Sequence, residues 1–205
     1  MRDLILLVPD KNTEYTVRCA LSRPAALGIR QLDFQLLVEQ GRDGGVRRRG
    51  SQVLGVQQAR FSHALLLLDY EGCGSHVSPV ELEAELDKAL SMRWGDRAKA
   101  IVIDPEVDVW MWGAETHLRS MVDWRDPEDI RPWLESQAFA FTADGKPVRP
   151  KEALDAAFRR AQTPRSSARY EQAARRISLT RCKDEAFLRL RASVVEWFGA
   201  PQPIA

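Results

Sequence analysis

Apolar residues in this chain come in short unbroken runs, each stopped by polar residues, and the runs alternate with stretches of helical period. Leu4-Ile5-Leu6-Leu7-Val8 ends at Pro9-Asp10-Lys11-Asn12-Thr13-Glu14, and a helical stretch follows to about Leu21. That reads as strand, turn, helix. Further strands are predicted over 32–38, 64–68 and 100–103. They lack a polar face, as strands covered on both sides do, and strands alternating with helices imply a mainly parallel sheet. The helix between the third and fourth strands is well marked: Ser78 is its N-cap, Pro79 its first residue, and Glu81 closes an S-x-x-E box. After Asp104 the pattern is helical without strand. Asp126-Pro127-Glu128-Asp129 and Pro150-Lys151-Glu152 open helices, and Phe187, Leu190, Val194, Trp197 and Phe198 form one stripe of a final helix. Gln40 to Gly45, with Arg47-Arg48-Arg49 behind it, reads as a mobile loop. The expected organisation is an α/β domain over 1–125 and a helical, arginine-rich extension over 126–205 packed on it.

The 205 residues are 44% hydrophobic and 29% charged, enough for one sizeable core. Thirty Lys and Arg nearly cancel 29 Asp and Glu, which argues against a uniformly basic nucleic-acid coat, so any charge signal is local. It is local: residues 104–135 hold nine acids and three arginines, and residues 149–193 hold twelve Lys and Arg and five acids. An acidic site beside a basic flank suits a metal-dependent enzyme acting on a polyanion; solvated faces and pairing between the two segments explain the partition equally well. No apolar run approaches the ~20 residues that span a bilayer, and Leu4 to Val8 is too short for a signal-peptide core. A cytoplasmic protein with no membrane partner is expected. Cys19, Cys73 and Cys182 lie far apart outside any CxxC, and Cys73-x-x-His76 lacks a second ligand pair for zinc. Neither a Walker A loop nor G-x-G-x-x-G nor G-x-S-x-G is present.

Ligands of open parallel sheets bind outside the carboxyl ends of the strands. Three predicted strands end in acids there: Asp10 after the first, Asp69-Tyr70-Glu71 after the third, and Asp104-Pro105-Glu106-Val107-Asp108 after the fourth. Carboxylates gathered on one edge need a cation to stay ionised together, and hard oxygen ligands favour Mg²⁺ or Mn²⁺. Such a metal activates water and stabilises the leaving oxygen of a phosphodiester. Helix capping is the commoner fate of any one such acid: Asp10 could cap the helix carrying Glu14, and Asp104 the one carrying Trp110. Lys11 and Arg18 near the first turn, and Arg165, Arg169, Arg175 and Arg176 interleaved with Ser166, Ser167 and Tyr170, have the chemistry of phosphate contacts. The tryptophans, Trp110, Trp112, Trp124, Trp133 and Trp197 among them, read as core anchors.

The order of strand, acidic turn, Thr13-Glu14 opening a helix, Asp69-x-Glu71 after a later strand and further acids after the next resembles the Toprim-like fold. The opening LILLVPDKNTEYTVR and the later IVIDPEVDVW are similar to compact Toprim-like proteins of prokaryotic defence islands, relatives of the overcoming-lysogenisation-defect nucleases and RloB-like proteins, and most to a small component of methylation-associated defence systems. The chain departs from that pattern in having Pro9-Asp10 for Glu-Gly, with one extra residue before Thr13, and Glu71 for the commoner Asp. The resemblance implies a Mg²⁺-dependent nuclease-like subunit. On this reading Asp69 and Glu71 would hold metal, Asp10 and Glu14 would complete the site or act as base, and Glu106 or Asp108 would serve as a further ligand. Lys11, Arg165, Arg169, Arg175 and Arg176 would hold nucleic acid, DNA or RNA, and other defence subunits are the expected partners. The alternative is an inactive Toprim-like scaffold that binds partner proteins or nucleic acid. Convergence of Asp10, Asp69 and Asp108 favours the enzyme, and an arginine among them favours the scaffold.

Overall fold

The computed structural model describes residues 1–199; the last residues of the predicted extension, 200–205, lie outside the described residues. In chain order the elements are β1 (Arg2–Val8), α1 (Lys11–Leu21), α2 (Pro24–Leu27), β2 (Phe34–Val38), α3 (Arg42–Gly55), β3 (Phe61–Asp69), α4 (Pro79–Trp94), β4 (Ala98–Ile103), α5 (Glu115–Val122), α6 (Ile130–Ser136), α7 (Pro150–Arg160), α8 (Ser167–Ala174) and α9 (Glu185–Phe198). A 3-10 turn, Val107–Met111, follows β4. The four strands form one all-parallel sheet in the order β2-β1-β3-β4. The fold is therefore α/β with a parallel sheet flanked by helices and a helical C-terminal part, as the hydrophobic runs predict.

Alternation along the strands sorts the core into two layers. Leu4, Leu6 and Val8 of β1, with Leu65, Leu67, Ile101 and Ile103, pack against α1, α9 and the helices after β4. Ile5 and Leu7, with Ala64, Leu66, Leu68, Ala100 and Val102, pack against α3 and α4. A strand buried on both faces has no position left for a polar residue, which is why these runs read as continuously apolar. The helices of 126–199 share the first layer: Leu134, Leu154, Phe158, Tyr170, Phe187 and Leu190 are all buried in it. The free edge of β4 is closed by side chains, Asp87 and Glu83 of α4 accepting from the Ala100 and Val102 amides at 2.6 and 2.7 Å and Arg189 donating to the Val102 carbonyl. Those groups are thus unavailable to another strand.

Most local expectations hold. Ser78 and Glu81 form a reciprocal capping box on α4, and α7 starts at Pro150. The final stripe is buried at Phe187, Leu190, Val194 and Phe198, while half-buried Trp197 stacks on His63. Trp110, Trp112 and Trp124 are buried core anchors whose indole N–H groups donate to Asp184, the Pro150 carbonyl and the Glu128 carbonyl. One expectation fails. The glycine-rich stretch read as a mobile loop is the first turn of α3, and Arg47, Arg48 and Arg49 lie on that helix. Its glycines serve close packing: a Cβ on Gly45 would sit 2.8 Å from Glu39 Cγ, and one on Gly50 would meet Leu66 at 2.3 Å. They let α3 approach the sheet, although each costs about 1 kcal/mol of helix propensity relative to alanine.

Candidate active site

In the order β2-β1-β3-β4 the chain leaves β1 toward one side of the sheet and later crosses to the other, so the topological switch point lies between β1 and β3, where a crevice opens beyond their carboxyl ends. A cavity of about 490 Å³ occupies that crevice. Asp10 and Lys11 reach it from the end of β1, Glu39 and Asp43 from the end of β2 and the start of α3, and Asp69 and Glu71 from the end of β3. Glu106 and Asp108 enter from the turn after β4, and Lys151 and Arg165 come from the helical part of the chain. A larger cavity of about 610 Å³ lies beyond β4, lined by Glu83, Asp104, Lys146, Asp184 and Arg189 among others. Its acids Asp184 and Glu83 are already matched to Lys146 and Arg189. Asp104 and Glu185 make no ion pair there among the described residues, but the larger set of unpaired acids, Asp10, Asp43, Asp69 and Glu71, is at the switch point.

Local structure explains each placement. Asp10 has an extended backbone and its Oδ1 accepts from the Thr13 amide, so it caps α1 as the capping alternative proposes. One oxygen suffices for that bond, and the residue still lines the cavity. Asp69 closes β3, where the sheet, α3 and the turn after β4 bury it to 7% exposure. Its Oδ1 accepts from the Val107 amide at 2.9 Å, and its own amide donates to Asp43 at 2.8 Å. Burial pushes the Asp69 carboxyl well above the usual carboxylate range; Asp43 and Asp10 add to this, and the Val107 bond opposes it. Burial likewise raises Asp43, with Asp10 contributing. Asp10 and Asp43 thus stand close enough to Asp69 to disfavour its ionisation. These three and Glu71 make no ion pair among the described residues.

The other two predicted ligands are placed differently. Glu106, 2% exposed, pairs with Lys151 at 2.9 Å. Asp108, 3% exposed, accepts from Arg165 at 2.8 Å and from the buried Tyr170 hydroxyl. Arg165 also bonds Asp155 at 2.6 Å, and its guanidinium lies over the Tyr170 ring. Asp104 caps nothing: Glu106 holds the N-cap position of the following turn, without a side-chain cap bond.

Glu14 does not reach the cavity. Burial opposes its charge, but the bonds from Lys11 and Arg18 outweigh this and hold its carboxyl below the usual range. Those bonds also engage the two cations proposed for phosphate near the first turn. Of the arginines on the expected nucleic-acid face, Arg165 is in the cavity, and Arg169 donates to the Met121 carbonyl. Arg175 and Arg176 are exposed, bonding Glu171 and Ser120. Tyr170 is fully buried and belongs to the core instead of that face. The acidic and basic segments are partly spent on each other, through Lys151–Glu106, Arg165–Asp108 and Arg160–Asp126.

Glu39, Arg42, Asp43 and Lys151 are the charged cavity residues that the sequence pattern does not flag. Asp43 sits in the stretch read as a loop, and the glycines around it were its signal, since a glycine-lined helix start packed on strand ends is where a backbone comes close to a site. The donor chemistry of Asp10, Asp43, Asp69 and Glu71 fits a hard divalent cation; Glu106 and Asp108, each holding a basic side chain, do not. Among the described residues no group of three or more His, Cys, Asp or Glu stands at metal-holding spacing, so a cation would have to draw these carboxylates together. No family model, curated protein or solved structure matches the chain.

Proposed function

We propose that the switch-point cavity is a divalent-cation site for phosphodiester hydrolysis, and that the protein works as a Toprim-like, nuclease-like subunit of a cytoplasmic prokaryotic defence system. The observation that carries this reading is the meeting of Asp10, Asp43 and Asp69, from three separate elements, beside Lys151 and Arg165 in one cavity. Asp10, Asp43 and Asp69 would hold Mg²⁺ or Mn²⁺, with Glu71 at the rim. The ion would neutralise phosphate charge and activate a water. The chain's own part is to fix the carboxylates on rigid strand ends, where Asp69 is oriented by the Val107 amide and Asp43 by the Asp69 amide. The test is calorimetric titration of Mn²⁺ into the wild type and into Asp69→Asn, Asp43→Asn and Glu14→Gln. Saturable binding lost in the first two variants and kept in the third is the expected result. Absence of saturable binding to the wild type would overturn the reading.

Arg165 on Asp108 favours a second reading, an inactive scaffold in which basic side chains close an ancestral acidic site. It requires Mn²⁺ to be ignored and a partner to engage the same cavity. The first reading is preferred because the arginine reaches Asp108 while Asp10, Asp43, Asp69 and Glu71 stay free of ion pairs among the described residues.

A further inference from the structure

Of the four cations that line the cavity, Lys11, Arg42, Lys151 and Arg165, the last two come from the helical part of the chain, and both are anchored by buried or half-buried carboxylates. Lys151 stands near the start of α7 with its ammonium on Glu106, a carboxylate buried to 2% exposure. Arg165 lies between α7 and α8, fixed by Asp108 through one terminal nitrogen, by Asp155 through the other, and by the Tyr170 ring beneath its guanidinium. The Tyr170 hydroxyl donates to the same Asp108. This is more restraint than a solvated surface cation receives, and it holds each head group without using all its donors. An ammonium carries three donors and a guanidinium five, so both keep N–H groups beyond those spent on carboxylates. Ser167, which donates to Asn12 Oδ1 at 3.0 Å, also lines the cavity.

We infer that Lys151 and Arg165 form a pre-positioned phosphate-binding fork, and that Glu106 and Asp108 are positioning residues that hold it instead of metal ligands. This rests on the reading of the cavity as a phosphodiester site and names its substrate side. A phosphate set between the fork and the free carboxylates meets N–H donors on one flank and a shared cation on the other, which explains why one cavity of this size contains both charges. At about 490 Å³ it has the dimensions of a small-ligand site, with room for one phosphate-bearing unit at a time, a free nucleotide or one nucleotide of a strand. The fork also makes the helical part of the chain a component of the site, with the metal side built by strand ends and the phosphate side by α7 and the segment leading into α8.

Fluorescence anisotropy of a labelled single-stranded oligonucleotide, with AMP as competitor, tests the inference in the wild type and in Lys151→Ala, Arg165→Ala, Arg165→Lys and Glu106→Gln, each checked for an unchanged far-UV spectrum. Loss of either cation should weaken binding about tenfold, the scale of a charged hydrogen bond. Each loss should also flatten the dependence of log affinity on log salt by about 0.7, the value of one phosphate contact on a single strand. Arg165→Lys keeps the charge, and so the slope, while losing affinity. Glu106→Gln leaves the ammonium but not its anchor and should weaken binding without removing a contact from the slope. A folded Lys151→Ala that binds with wild-type affinity and slope overturns the fork, whatever becomes of Arg165→Ala. AMP displacing the strand identifies a nucleotide pocket, and strand binding that AMP leaves untouched identifies a strand contact; either agrees with the fork. The metal reading is judged separately: Mn²⁺ binding without dependence of the strand on Lys151 or Arg165 sinks the fork alone, and dependence without Mn²⁺ binding sinks the metal alone.

Discussion

The two sides of the cavity use the same residue type in opposite ways. On the strand-end side, Asp10, Asp43, Asp69 and Glu71 face the cavity without a basic partner among the described residues; on the other, Glu106 and Asp108, at similar or deeper burial than Asp69, each hold a cation. The difference follows from what packs above each group. The turn after β4 lies under α7 and α8, which bring Lys151, Arg165 and Tyr170 onto it. The ends of β1 and β3 sit at the switch point, where crossing helices diverge and leave a gap. The acids paired there, Glu106 and Asp108, attach the helical part of the chain to the sheet, whereas on the strand-end side Glu39 pairs with Arg49 of α3 and Asp10, Asp43, Asp69 and Glu71 have no basic partner among the described residues.

The sharpest way to break this comparison is to remove one carboxylate from each side and measure stability by denaturant unfolding. Asp108→Ala leaves the buried Tyr170 hydroxyl without its acceptor and Arg165 with Asp155 alone, and removing one partner of a buried pair costs about 3–5 kcal/mol. A loss within about 0.5 kcal/mol, as for an ordinary surface change, would show that the pair does not hold the helical part in place.

Asp69→Asn should act in the opposite direction. A carboxyl whose folded-state pKa lies above its unfolded value binds its proton more tightly when folded, so it costs stability as pH rises through that interval. Asp69 is such a group, raised by burial and by Asp43. Removing its charge should stabilise the metal-free protein at neutral pH, and the gain should fade toward acid pH. Added Mn²⁺ should narrow or reverse the gap, because it stabilises only the chain that binds it. A variant less stable than wild type at every pH would place Asp69 with the structural acids.

The fold was legible in the sequence because strands covered on both faces leave unbroken apolar runs, as Leu4 to Val8 and Leu65 to Leu68 do. Helix starts were legible where chemistry marks them, at Ser78-Pro79 and Pro150. The start of α3 was not, since glycines that permit close packing look in sequence like glycines that permit turning. Asp43 was missed with it. The acids of the site were readable from their place at strand ends, but their division into paired and unpaired was not, because the partners of Glu106 and Asp108 lie 45 and 57 residues away along the chain. Glu14 shows the converse: its place beside Asp10 suggested a shared site, whereas one helical turn directs it to Lys11 and Arg18.

The smallest effect concerns Asp10, which belongs to both classes at once, since it caps α1 through Oδ1 and lines the cavity with the unpaired acids. Serine separates the two roles. It caps a helix about as well as aspartate, so Asp10→Ser should change unfolding free energy by only a few tenths of a kcal/mol, whereas Asp10→Ala should cost about 0.5–2 kcal/mol. A hydroxyl is a poor substitute for a carboxylate on a hard cation, so Asp10→Ser should lose Mn²⁺ affinity as fully as Asp10→Ala does. Equal loss of metal with unequal loss of stability would assign the second oxygen of Asp10 to the ligand. If serine preserved both, Asp10 would be a cap and nothing more, and the metal site would have to be built from Asp43, Asp69 and Glu71.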